Sequence, residues 1–449
     1  MKNKTIDCSL KSVLSVTLPM ILSAMSSNLM YMIDRFMLAG YSIDSMNAAT
    51  MSGNFVSIFS FLLCGSANSA EIFAGQYNGS KQYERLAAPT WQMFYMSLFA
   101  YIPCFLIAYF SVYINNYPPY YLKEGVEYQK VLMYFIMFPP IRAALAAFFI
   151  GQGKTKVITF SVTTGALLNI VLDYLLIYGL AGFVPSLGCK GAAIATVISE
   201  FVQISILASI FFGKTNRKAY NTFGNRKLES KLFFECWQVG FPIALGNCVA
   251  LLAWYIIQVL FSHVSKDVAT VYNITTNLYV FFIFVGEGVN KGIAAISANM
   301  IGRNDLKSIE KTRKIFVIIS ILFGGIVAVP MVIYPEGFFY LLSMLPDDIS
   351  RLYSEIKIAC YLVSLDVALE TLTLAHWGIL MAGGDTKYAN IVYQICLWGI
   401  TILPMTVLCY TNTLTSAMQA YFLITLTLGA TLFFIYRRYK SGKWYKKLV

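Results

Sequence analysis

Long apolar runs alternate with short polar segments along the whole chain. About twelve runs are long enough to cross roughly 30 Å of hydrocarbon. They lie near residues 12–39, 47–77, 91–113, 127–150, 156–181, 190–212, 233–261, 268–300, 314–334, 351–381, 388–410 and 413–436. The runs at 47–77 and 268–300 exceed one straight crossing, so they project beyond the bilayer or bend. Pro139-Pro140 should break or kink the fourth span, and Pro103 is placed to kink the third.

Composition agrees with this pattern. The chain has 449 residues, of which 58% are hydrophobic and only 12% charged, against about a quarter charged in soluble domains. The expectation is an all-α polytopic membrane protein. Nine scattered cysteines and two histidines form no metal-ligand spacing and no disulfide framework. No clustered nucleophile or nucleotide loop is present, and GQGKT lacks the spacing of a phosphate loop. The reading is therefore not an enzyme, with no cofactor. The net charge of +12 lies in the segments between runs, so no nucleic-acid partner is expected.

Of 34 Lys and Arg, 25 fall on the side of the chain ends and seven opposite (Arg35, Lys123, Lys130, Lys190, Lys266, Arg351 and Lys357), with Arg142 and Lys291 inside spans. The positive-inside rule then puts both termini in the cytoplasm. The start, MKNKTIDCSLK, reads as a cytoplasmic tail and not a cleaved signal. The expected location is the plasma membrane, which is the cell inner membrane in a Gram-negative organism.

The basic segment 213–231 divides the chain into halves that resemble each other. Pro19 in TLPMIL matches Pro242 in GFPIAL, and Gly79 in AGQYNGSKQ matches Gly302 in SANMIGRND, both 223 residues apart. Gly153 in FFIGQGKTKVI matches Gly384 in ILMAGGDTKYA, 231 apart. Matching anchors in order indicate an internal repeat. An even number of spans per half gives both the same orientation, related by an axis along the membrane normal. The organisation expected is an N-lobe over 1–212 (helices 1–6), a basic cytoplasmic linker over 213–231, a C-lobe over 232–436 (helices 7–12) and a basic tail over 437–449. The two six-helix lobes should be pseudo-symmetric.

Ionisable groups inside apolar spans carry the candidate chemistry. Asp173 sits in GALLNIVLDYLLIYG, where an ionised Asp costs roughly 2.5–3.5 kcal/mol to insert. Asn169 is one helical turn away, on the same face. Asp34, at the outer end of the first span, is at a depth where it can meet Asp173. Two adjacent carboxylates do not both stay ionised cheaply, so a proton or a cation is needed. Alternatively, Asp34 only pairs with Arg35, and Asp173 is a structural hydrogen-bonding residue. In the second half, Glu287 and Lys291 are spaced for an ion pair or a gate, and Asp366 and Glu370 are spaced for a coupling or substrate site. Arg142 is a candidate cavity residue or a counter-ion to a first-lobe carboxylate. Glu200 needs a partner that the sequence does not identify. Glu71 reads as a solvated acid near a span end, and His376 as a packed polar residue.

These motifs resemble the multidrug and toxin extrusion (MATE) family of cation-coupled exporters. The likeness rests on LPMILSAMSSNLMYMIDRFMLAG, on GQGKTKVITFSVTTGALLNIVLDYLLIYG followed by LGCKGAAIATVIS, and on the second-half turn AGGDTK. The resemblance implies a twelve-helix antiporter that exports amphipathic, often cationic small molecules or drugs by alternating access as H⁺ or Na⁺ enters. It also implies coupling-ion binding, Na⁺ included, at Asp34, Asn169 and Asp173. The seventh span, GFPIALGNCVALLAW, lacks the acid that many members carry there. Glu287-Gly288 and Glu370 match second-lobe acids of other members. Partners would be a small-molecule substrate and the lipid bilayer, with the protein a monomer. The competing reading is a flippase for a lipid-linked saccharide or other lipid-like anionic substrate, in which Arg142 and Lys291 would contact phosphate.

Overall fold

Serines and aspartates punctuate the long helices. Ser9 accepts a hydrogen bond from the Ser12 amide and starts α1 (Leu10–Tyr41). Ser42 ends α1 through its own amide and caps α2 (Ile43–Ala67), which keeps that turn short. Ser265, Asp305 and Ser416 cap later helices in the same way, Ser416 in a reciprocal capping box with Gln419. The computed structural model describes residues 7–114, 119–180, 183, 185–334 and 352–449. Lys2, Lys4 and Arg351, used in the charge count, lie outside them.

The remaining N-terminal helices are α3 (Ala70–Gly79), α4 (Ala88–Ile114), α5 (Pro119–Tyr134), α6 (Phe138–Gly151), α7 (Thr155–Tyr178), α8 (Gly188–Phe211) and the short α9 (Lys214–Tyr220). The second half has α10 (Ser230–Val264), α11 (Lys266–Gly302), α12 (Leu306–Ile333), α13 (Tyr353–Ala382), α14 (Thr386–Cys396), α15 (Leu403–Tyr410) and α16 (Ala417–Lys440). Among the described residues, eleven helices are long and apolar enough to span a membrane, or twelve if the bent pair α5–α6 is one span. That pair bends by 40° just before Pro139-Pro140, as the sequence predicts. The α4 helix, in contrast, runs through Pro103 without a break. The expected long second span is broken at Asn68–Ser69 into α2 and α3. A π-helical turn over Leu397–Ile402 joins α14 to α15. Pro404 follows it and cannot donate an N–H, so a wider turn takes up the register.

The two halves share their packing as well as their anchors. A proline inside a helix frees carbonyls on the preceding turn. At Pro19, the Thr155 hydroxyl donates to the Val16 carbonyl at 2.9 Å; at Pro242, Thr386 donates to Val239 at 2.8 Å. Each threonine follows a left-handed glycine, Gly153 (φ 68°) or Gly384 (φ 74°), a conformation that favours glycine. The Pro and Gly-x-Thr anchors thus recur together because one satisfies the other.

The halves meet through reciprocal contacts. Asn299 donates to the Gly151 carbonyl at 2.8 Å, and Gln76 donates to the Ala382 carbonyl at 2.9 Å. A Cβ on Gly79 would collide with the Asn299 carbonyl, and one on Gly302 with the Gln76 carbonyl. Both exchanges follow the offsets of the repeat, so the fold is two pseudo-symmetric six-helix lobes. The C-terminal tail covers this junction: the Leu448 amide donates to Gln76 Oε1 at 2.7 Å, and buried Trp444 lies against Gly383.

Candidate functional site

α1 and α7 run parallel and are stitched by hydroxyls. Thr159 donates to the Pro19 carbonyl at 2.6 Å, Ser26 and Thr163 meet at 3.3 Å, and Tyr178 donates to the Met37 carbonyl at 2.7 Å. Partner numbers differ by 140, 137 and 141. That register sets Asp34 opposite the turn holding Asp173, a difference of 139. Asp173 lies within the electrostatic reach of Asp34 and of Arg35. Asp173 is fully buried, and Asp34 and Asn169 nearly so. Neither Asp173 oxygen, neither Asn169 amide atom nor Asp34 Oδ1 has a hydrogen-bond partner among the described residues. The Asp34 and Arg35 side chains stand 3.8 Å apart, a loose pair. Arg35 is held mainly by aromatic groups, 4.9 Å over the Tyr31 ring and 3.2 Å from the Tyr128 hydroxyl, to which it donates.

Asp34 and Asn169 open onto a cavity of about 390 Å³ within the first lobe. Tyr31, Phe61, Phe135 and Phe138 supply apolar wall, and Arg142 and Glu200 close the polar side. Arg142 Nε donates to Glu200 Oε2 at 2.7 Å. Each mid-span charge is the partner the other needed, and neither pairs with Asp34 or Asp173. The pair joins α6 to α8 across the cavity wall. Two carboxylates and an amide carbonyl form a buried, oxygen-rich set of the kind that can hold a proton or a hard monovalent cation. Among the described residues, no cluster of three or more His, Cys, Asp or Glu is arranged to hold a metal ion.

The second lobe is built differently. Asp366 is fully buried, and its Oδ1 accepts from Thr425 at 2.5 Å. Glu370 lies one turn on, half-buried. Asp366, Glu370 and Glu287 all act on Tyr279 of α11, and Glu370 also acts on Tyr393. Glu287 itself is exposed. The expected Glu287–Lys291 ion pair does not close: among the described residues Lys291 has no acid within 4 Å. Its charge reaches Glu287 and also Glu71 in the opposite lobe. Both residues lie on α11, which packs on α1 and α3 of the opposite lobe.

A family model described as MatE matches the chain twice, over residues 19–175 and 242–408. The chain belongs to the MATE family of transporters. The MATE fold extends over nearly the whole length. The probable multidrug resistance protein NorM of Thermotoga maritima is 24% identical over 401 residues, covering 86% of this chain and 83% of that protein. The probable multidrug resistance protein YoeA of Bacillus subtilis is 20% identical over 384 residues, covering 80% and 78%. The solved structure of the eukaryotic MATE transporter AtDTX14 superposes with a TM-score of 0.84 at 18% identity, covering 97% of this chain and 96% of that one. A MOP superfamily transporter from Pyrococcus furiosus gives 0.87 at 15% identity, covering 98% of each.

Within this MATE chain, the structure changes one single-residue reading and agrees with another. Glu71 is buried at 3% exposure, not solvated, because the α2–α3 break turns it inward beneath Lys291 of α11. His376 is packed as expected, with Nδ1 2.8 Å from the Leu372 carbonyl and its ring against Tyr436. Tyr279, Tyr393 and Tyr128 escaped sequence reasoning. With 30 tyrosines in the chain, none carries a local signal, and only helix packing selects these three.

Proposed function

We propose that this MATE transporter is a secondary antiporter that exports amphipathic, cationic small molecules, drugs and toxins among them, as H⁺ or Na⁺ enters. The observation that carries the reading is the Asp34–Asn169–Asp173 set at the α1–α7 seam, beside a cavity with aromatic walls. The multidrug resistance names of the NorM and YoeA relatives support the substrate class. In this scheme Asp34, Asp173 and the Asn169 carbonyl hold the coupling ion. Its binding neutralises the seam, shifts α1 against α7, and weakens the lobe's hold on substrate. By linkage, the ion-bound state must be the one that releases substrate.

The lobes would be residues 1–212 and 232–436, joined by the 213–231 linker and followed by the 437–449 tail. They rock about their junction to give alternating access. Both termini are assigned to the cytoplasm on the loop charges, in a plasma membrane, with the monomer as the working unit. Glu287, Lys291, Asp366 and Glu370 are assigned second-lobe coupling or substrate roles. The flippase reading is weaker, since Glu200 neutralises the Arg142 charge that would have met a phosphate. The deciding experiment is efflux from proteoliposomes under separate Na⁺ and pH gradients. Substrate movement driven by neither gradient would overturn the antiport reading.

A further inference from the structure

The segment between the lobes is a built object, not a loose tether. Residues 214–220 form α9, and a short 3-10 turn follows over Gly224–Arg226. First-lobe side chains pin its backbone. The Trp91 indole donates to the Thr222 carbonyl at 2.8 Å, and Gln92 donates to Lys227 at 3.0 Å while accepting from the Glu229 amide at 3.0 Å. Tyr95 donates to the Arg226 carbonyl, and Asn225 to the Glu84 carbonyl. Asn221, in the left-handed region (φ 48°), accepts from the Gly224 amide and closes the turn.

This frame fixes five cations around one concave pocket of about 700 Å³: Lys214, Arg217, Lys218, Arg226 and Lys227. Among the described residues, no acidic residue lines it. Three other arginines on the same face are paired, Arg85 with Glu229, Arg313 with Glu310 and Arg438 with Asp385. Phe223 stands between the Arg217 and Arg226 guanidiniums, at 5.0 and 5.6 Å, and remains exposed. Phe212 and Leu228 are exposed beside it. Loop charge that only sets topology needs neither convergence nor a fixed backbone. Here cations converge between the end of α8 and the start of α10, two helices long and apolar enough to span a membrane, beside exposed apolar side chains.

We propose that this pocket is a binding site for the phosphate headgroup of an anionic phospholipid in the leaflet on that side. The lipid would tie the linker, and with it both lobes, to the membrane surface. The attraction is Coulombic and shared by five side chains. It is worth about 1 kcal/mol per basic residue near an anionic leaflet, so losing two should weaken binding about 30-fold.

The full-length protein in a neutral detergent would be titrated with phosphatidylglycerol and followed by native mass spectrometry, with phosphatidylcholine and soluble glycerol phosphate as comparators. R217Q/R226Q should lose about 30-fold in phosphatidylglycerol affinity. R217K/R226K, which keeps the charge, should retain it. K214Q/K218Q alters exposed side chains of α9 only and should weaken binding in the same direction, which guards against misfolding of the arginine variant. K443Q/K447Q removes two charges from the tail and should change little. Equal losses in the linker and tail variants, or none in either, would overturn the site. Competition by glycerol phosphate at the lipid's own concentration would also overturn it, showing a soluble-anion pocket.

Discussion

The two lobes share a backbone plan but not the treatment of their buried acids. In the first lobe, Asp34 and Asp173 face each other across two helices, and Asp173 meets no hydrogen-bond donor among the described residues. In the second, Asp366 and Glu370 sit on one helix, and Thr425 holds Asp366 at 2.5 Å. A carboxylate beside a hydroxyl has a hydrogen-bond partner in either protonation state. A buried carboxylate near another acid, with no donor of its own, depends on a proton or a cation for neutralisation. The contrast teaches that pseudo-symmetry of fold does not extend to the surroundings of the acids: Asp173 has no partner on either oxygen, whereas Asp366 has one on Oδ1 and none on Oδ2 among the described residues.

The sharpest way to break this comparison is to neutralise one acid in each lobe. Asp173→Asn is expected to abolish gradient-driven efflux, a loss of about 100-fold or more, with normal insertion. Asp366→Asn should leave measurable coupling. Efflux rates in proteoliposomes decide, and equal losses would erase the distinction between the lobes. The next effect is on stability. Arg142→Met strands Glu200 as an uncompensated charge and should cost about 3–5 kcal/mol. Arg142→Met with Glu200→Met should recover most of it, as read by thermal unfolding in detergent. Thr425→Val removes the Asp366 donor and should cost about 1–3 kcal/mol. No equivalent substitution exists at Asp173, and an unchanged melting temperature in Thr425→Val would remove the claim that the second lobe's acid is held.

The smallest effect lies outside the membrane, at Asp305. It caps α12 by accepting from the Ser308 amide at 3.2 Å, and Ser308 keeps its carboxyl below the usual carboxylate range. Asp305→Ala should cost about 1 kcal/mol near neutral pH. Because the folded-state value is depressed, the contribution is present above the ordinary Asp value of about 3.9 and fades as pH falls through the folded one. The wild-type and mutant stability curves should therefore converge in acid.

Much of this was legible from residue order. Twelve apolar runs gave the helix set, because a segment in lipid must satisfy its own backbone and only a helix does so within one run. The Pro, Gly and Gly-x-Thr anchors gave the repeat, and the structure adds that each threonine caps a carbonyl freed by its proline. Asp173 and Asn169 stood out because a charge in an apolar run is costly. The register with Asp34 was readable only as shared depth. The hydroxyl stitches at Ser26, Thr159 and Tyr178 turned depth into apposition.

The sequence alone determined the span positions, the two-fold repeat and most of the buried ionisable groups. Each of these follows from one-dimensional periodicity or from the solvation cost of a single residue. Only the tertiary structure decided who meets whom. Arg142 goes to Glu200 and not to the seam acids. Lys291 acts at a distance on both Glu287 and buried Glu71, and the linker cations share one pocket. Pairings of this kind depend on helix rotation and on crossings between residues far apart in the chain. Those are fixed by side-chain packing across helices, which leaves no periodic mark in the sequence.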